Sequence, residues 1–140
     1  MKSKGKDTAK PKKRTPAKHK KVLDVLWAQI IKHNWHGLCG VCGKAGSSSH
    51  HFFGKKSSPM TRFEPNNGIY LCFYDHIGRI HQQGDTEPAR EKIIAKIGQD
   101  SFDVLKFKAK SSGKQDLNLV EERLRKIISN RLPDFDNLPF

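Results

Sequence analysis

Between Trp35 and Gln82 the chain gathers all three of its cysteines and five of its seven histidines. Cys39-Gly-Val-Cys42-Gly opens the stretch and His50-His51-Phe-Phe-Gly follows. Next comes Asn66-Asn67-Gly-Ile-Tyr-Leu-Cys72-Phe-Tyr-Asp75-His76, and His81 closes it. Two cysteines separated by two residues can turn both thiolates onto one tetrahedral ion, and Gly40 and Gly43 are expected to relieve that turn. Cys72 offers a third thiolate. Asp75 stands three residues later, where a second Cys-x-x-Cys pair would place its last cysteine, and a carboxylate is a legitimate zinc ligand. The expected site is a structural Zn²⁺ on Cys39, Cys42, Cys72 and Asp75. The alternative for Asp75 is to cap the following helix, with water or a histidine completing the site.

The histidines suggest a second chemistry. Adjacent residues on a strand point to opposite faces, so one of His50 and His51 can bind an ion while its neighbour faces a nucleic acid. His76, early in the next helix, can approach the same ion. A metal held there would offset charge developing on a phosphodiester. The remaining imidazole, with an ordinary pKa near about 6.5, suits taking a proton from water. Asn67 could fix that imidazole or its backbone through its amide. Arg62 is either a guanidinium fork for a phosphate or the partner of Glu64 in a surface ion pair. Lys44, Lys55, Lys56 and Arg79 are candidates for backbone contacts, whereas Phe52 and Phe53 read as core.

These side chains need a scaffold, and the pattern around them supplies one. His50 to Phe53 suggests a short strand, Ile69 to Leu71 a second, and 72–81 the helix that follows. Upstream, Val22, Leu23, Val25, Leu26, Trp27, Ile30 and Ile31 make a helix with a broad apolar face within 22–36. Downstream, residues 85–132 read as helical support: 87–97, then 101–110 after Gly98, then 117–130 capped by Asp116. In the last helix Leu117, Val120, Leu124, Ile127 and Ile128 recur at three and four. In the tail, 133–140, Phe135, Leu138 and Phe140 either pack back or stay exposed.

With 140 residues and 35% hydrophobic content, the chain is one small domain whose core would benefit from a metal. Its net charge of +13 is lopsided: residues 1–21 carry ten Lys/Arg against one Asp, or +9, leaving +4 elsewhere. That segment is expected to be a disordered basic tail that holds phosphates without reading bases, which makes nucleic acid the expected partner. No stretch approaches the roughly 18 apolar residues of a membrane span, and no apolar signal segment opens the chain. Paired thiols suit metal ligation in a reducing, cytoplasmic compartment. Nothing in the sequence sets an oligomeric state.

The run His50-His51, Asn67 and His76, flanked by Cys39-x-x-Cys42 and Cys72, resembles the HNH endonuclease superfamily with its ββα-metal fold. The resemblance covers roughly residues 37–84. It implies an α+β chain: a small ββα-metal, treble-clef-like core with flanking helices and a structural zinc site. It makes His50 a ligand of the catalytic ion, His51 the general base and Asn67 the support of that base. His76 and His81 become further ligands. A looser likeness in 62–72 and 97–105 is to phage-type HNH proteins such as the NinG/Rap group of recombination endonucleases.

The implied activity is metal-dependent hydrolysis of DNA with little sequence specificity, by nicking or structure-selective cutting. Its setting would be phage or mobile-element DNA processing or recombination, in the cytoplasm of a bacterial host if the chain is phage-encoded. The catalytic ion would be Mg²⁺ or Mn²⁺ in use, although imidazoles would also hold Ni²⁺ or Zn²⁺.

Two positions depart from the family pattern. Asp75 replaces a cysteine, and His81 follows His76 by five residues where four is usual. In an α-helix a five-residue step turns a side chain roughly 140° away. Gly78 between them could end or distort the helix and restore convergence. The competing reading is a noncatalytic zinc-containing nucleic-acid binder in which His50 or His51 completes the metal site.

Overall fold

The computed structural model describes residues 13–132, and within them the chain is α+β. Helix α1 (Pro16–Asn34) leads into a cysteine loop and then strand β1 (Ser48–His51). A single 3₁₀ turn (Pro59–Thr61) precedes strand β2 (Gly68–Leu71), and a π-helix (Tyr74–Gln82) follows it. Helices α2 (Glu87–Ile97), α3 (Gln99–Ala109) and α4 (Leu117–Arg131) complete the order. No helix among the described residues is long and apolar enough to cross a membrane.

Helix α1 begins six residues inside the segment expected to be a free tail. Thr15 accepts a hydrogen bond from the Lys18 amide, and Pro16 takes the first helical position, where its missing N–H costs nothing. Arg14 and His19 then reach Glu121 on α4 at 2.7 and 2.9 Å. Counting charge alone hides this start signal, because a Thr-Pro cap lies among the lysines. The rest of the expected tail, 1–12, and the C-terminal 133–140 with Phe135, Leu138 and Phe140, lie outside the described residues.

The five buried positions of α1 (Leu23, Leu26, Trp27, Ile30 and Ile31) share one face, and they pack on Val120, Leu124 and Ile128 of α4. Each aliphatic side chain buried there contributes roughly 1.5–3 kcal/mol. Asp116 accepts from the Asn118 and Leu119 amides and starts α4 as its position suggests. On the other side of the domain, Ile93 of α2 and Phe102 and Leu105 of α3 make a second core. Gly98, at φ 88°, turns the chain between those two helices.

Strand β2 lies between the two cores, which is why all four of its residues are buried. Tyr70 faces the α1–α4 core, whereas Ile69 and Leu71 face α2 and α3, as the two-residue alternation of a strand requires. Strand β1 pairs antiparallel along β2, with Ser48 opposite Leu71 and His51 opposite Gly68. It begins two residues earlier than expected and leaves out Phe52 and Phe53. Those rings instead close on Phe102, at 5.8 and 6.0 Å between centroids.

Candidate metal centres

Strand alternation divides the four residues of β1 between two neighbours. Ser49 and His51 face α1: Ser49 donates to the Ala28 carbonyl, and the His51 ring stacks on Trp27 at 3.7 Å. Ser48 and His50 face the π-helix, where Ser48 Oγ lies 2.9 Å from His76 Nδ1 and the His50 ring stands 5.0 Å from that of His76. Adjacent histidines therefore serve different surroundings, as the strand pattern suggested.

The cysteine loop builds the first cluster. The Cys39 amide donates to Lys44 O and the Gly43 amide to Cys39 O, folding the loop back on itself. Gly43 adopts φ 76°, the backbone region that favours glycine. Gly40 is needed for a different reason: a Cβ there would stand 2.6 Å from Ile69 and 2.7 Å from Trp35. Asp75, 2% exposed, sets Oδ2 at 3.2 Å from both Cys39 Sγ and Cys72 Sγ. Cys42 Sγ is 3.7 Å from Cys72 Sγ. Ligands about 2.3 Å from a tetrahedral zinc have sulfurs about 3.8 Å apart, so the donor set fits that ion. Cys39, Cys42, Cys72 and Asp75 all offer atoms within 4.8 Å of one another.

Electrostatics agree with a cation at this point. Burial alone would raise the Asp75 carboxyl, but thiol hydrogen bonds and Arg79 hold it below the usual carboxylate range. The Cys42 thiol feels a lowering backbone hydrogen bond at Lys44, yet burial and its Asp75, Cys39 and Cys72 neighbours push it up to about 11. A bound dication would favour the thiolate form that ligates. Arg79, a candidate for backbone contacts, lies 3.3 Å from Asp75 Oδ1 and orients the carboxylate from behind.

His50, His76 and His81 form the second cluster, with ligand atoms again within 4.8 Å. The five-residue step converges because the segment is a π-helix, not an α-helix. Its i→i+5 hydrogen bonding, seen in Gln83 N to Gly78 O at 3.2 Å, stacks residue 81 over residue 76. The two Nε2 atoms are 3.0 Å apart. With Nδ1–H of His76 donated to Ser48, its Nε2 keeps a lone pair for a metal. Burial lowers His50 to about 4, helped by His76 and His81, and burial also lowers His76. Neutral imidazoles are the form that ligates.

His51 is held apart from that cluster. Its Nε2 donates to the Arg62 carbonyl at 2.9 Å, which leaves Nδ1 as the basic nitrogen. Burial lowers its pKa to about 4 against the raising influence of that carbonyl and of Asp24, while Lys55 and Arg62 lower it further. Asn67 is fully buried and grips the loop beyond β1. Its Oδ1 accepts from the Phe53 amide at 2.7 Å, and its Nδ2 donates to Phe53 O at 3.0 Å and Thr61 O at 2.9 Å. It therefore supports the backbone after the histidine pair, the second of the two roles its amide could take.

Arg62 does not pair with Glu64. Its guanidinium makes a fork with Asp24 on α1, at 3.0 and 2.7 Å, so it braces the loop whose carbonyl holds His51. Glu64 pairs with Lys108 and with Arg123. Asp24 gave no local sign, being 38 residues from Arg62. Ser48 could have been found from its place two residues before His50 on one strand face, and Arg79 from its place four after Asp75. Comparison with protein families, curated proteins and solved structures finds no match for the chain.

Proposed function

We propose that this chain is a metal-dependent endonuclease of the HNH type, with a ββα-metal core formed by β1, β2 and the π-helix. The observation that carries this reading is the arrangement of His51. It follows the ligand candidate His50 by one residue on β1, its Nε2 anchored to a carbonyl and its Nδ1 left free to accept a proton. A purely structural zinc module needs no such group, because Cys39, Cys42, Cys72 and Asp75 already complete a tetrahedral set.

In this reading His51 takes the proton of the attacking water at Nδ1 and, as an imidazolium, keeps its Nε2–H on the Arg62 carbonyl throughout. Trp27 fixes the plane of the ring, and the Arg62–Asp24 fork fixes the carbonyl. Asn67 holds the turn after β1, so the histidine pair keeps its aim. A divalent ion on His50, His76 and His81 would supply Lewis-acid stabilisation of the phosphate. Three imidazoles without a carboxylate hold Zn²⁺ or Ni²⁺ more tightly than Mg²⁺ or Mn²⁺. The substrate would be DNA, drawn in by the basic N-terminal segment with little sequence preference. Phage or mobile-element DNA processing in a bacterial cytoplasm is the setting the family likeness suggests.

The stacking of His51 on Trp27 also suits a packing histidine, and that favours the noncatalytic binder as the second reading. Supercoiled plasmid titrated with Mg²⁺, Mn²⁺, Ni²⁺ and Zn²⁺ separates the two. Wild type should form nicked circles, while His51→Ala should bind DNA and both metals yet cut about 10² more slowly or worse. His76→Ala should drop the metal content from two ions to one. Equal cleavage by wild type and His51→Ala removes His51 as the base. A wild type that cuts no substrate with any metal leaves the binder.

A further inference from the structure

A cavity of about 640 Å³ opens away from both metal clusters, between the start of α1, the 3₁₀ turn and the loop before α4. Its rim is cationic: Lys20, Lys55, Lys56 and Lys114, together with Arg62. Arg62 is neutralised by Asp24, but among the described residues no carboxylate lies within ion-pair distance of the four lysines. No acidic side chain lines the cavity among the described residues. Its walls are apolar, from Pro16, Pro59, Met60, Phe63 and Leu117. Gln115, also on the lining, donates to the Met60 carbonyl at 3.1 Å.

Four lysines converging without counter-charge make a standing positive potential, and the ligand that relieves it is anionic. A free phosphate would use the lysines but leave the apolar wall uncovered. The volume is that of a pocket for an organic ligand of nucleotide size or larger. A nucleotide in an intact duplex is stacked on both sides and cannot present its base to such a wall. Two further features place the cavity on the path of a substrate strand. Helix α1 starts at Pro16 on the cavity wall, and Arg62, on the rim, offers its carbonyl to His51.

We propose that this cavity holds one unpaired nucleotide of a nucleic-acid strand, with the base against Met60 and Leu117 and the adjoining phosphates on Lys20, Lys55, Lys56 and Lys114. The proposal rests on the endonuclease reading for its choice of ligand and deepens it. The preferred substrates become those with a single-stranded segment next to the cut, such as flaps, forks or frayed ends.

Binding without cutting tests it, so the full zinc-loaded chain carries His51→Ala throughout. Fluorescence anisotropy would compare a single strand of about 12 nucleotides, the same strand with one abasic site moved along it, and the matching duplex. One abasic position should weaken binding about fivefold or more, and Met60→Ala should erase that sensitivity. The combined Lys55→Ala, Lys56→Ala and Lys114→Ala variant should lower the single-strand salt slope by about 2, from roughly 0.7 per phosphate. Its melting temperature should stay at the parent value, since none of the three lysines is buried. Indifference to every abasic position, or an unchanged salt slope, overturns the proposal. Equal losses on single strand and duplex also overturn it, reducing the site to a general phosphate patch. Cleavage by the unmutated chain reports separately: cutting without an abasic effect keeps the nuclease and removes the cavity, and the reverse pattern keeps the cavity alone.

Discussion

Asn67 spans the base of the site with three hydrogen bonds, and replacing it should expose how much of the geometry depends on one amide. Asn67→Ala leaves the Phe53 amide and the Phe53 and Thr61 carbonyls without their partners. A net hydrogen bond is worth roughly 1 kcal/mol, and more where the abandoned group stays out of water, so three together amount to about 3–5 kcal/mol. For a domain of this size that lowers the melting temperature by about 10–20 °C. Asn67→Asp is the sharper change, because its shape is almost unaltered. The retained Oδ1 can still accept from Phe53, but the second oxygen now confronts two carbonyl oxygens and carries a buried charge. Despite its resemblance to asparagine, aspartate should be at least as destabilising as alanine at neutral pH. Thermal unfolding of the zinc-loaded variants, followed by far-UV circular dichroism, measures both. An aspartate variant within about 1 kcal/mol of wild type would show that Nδ2 does not donate to those carbonyls.

Cys72→Ser should abolish zinc retention and the cooperative unfolding transition together, because the free energy of metal binding in so small a core is folding free energy. Normal zinc content and melting in that variant would remove Cys72 from the ligand set. Two N-terminal truncations should behave differently. Removing residues 1–12 deletes five lysines and should flatten the salt dependence of DNA binding while leaving the melting temperature unchanged. Removing 1–21 should also lower the melting temperature, since it takes the Thr15 cap, worth about 1 kcal/mol, and the Arg14 and His19 contacts to Glu121. Identical melting of both truncations would contradict a helix that starts at Pro16.

What could be read in advance was local. The Cys39–Cys42 pair and the Cys72–Asp75 pair each show a three-residue ligand spacing, because loop geometry over three residues is nearly independent of the rest of the fold, while the choice of Asp75 between ligand and helix cap is not legible there. Helices α2 and α4 were equally legible from period and caps. What stayed hidden depended on distant partners or on an uncommon backbone. Arg62 finds Asp24 only once α1 lies against the loop, so its neighbour in sequence, Glu64, was a misleading candidate. Strand β1 starts at Ser48 because Ser48 and Ser49 have hydrogen-bond partners in the π-helix and α1, which a search for apolar alternation passes over. The five-residue separation of His76 and His81 looked out of phase for the same kind of reason. An α-helical period was assumed where the backbone takes the wider turn.

The π-helix has one more consequence. Asp75 belongs to the cysteine cluster and His76 to the histidine cluster, and these are consecutive residues on one short segment. An ion held by Asp75 would also restrain the backbone carrying His76, and so favour the arrangement a second ion would need. By thermodynamic reciprocity, an ion on the histidines would then tighten one on the cysteines by the same factor. The two clusters thus meet at a single peptide unit, that between Asp75 and His76.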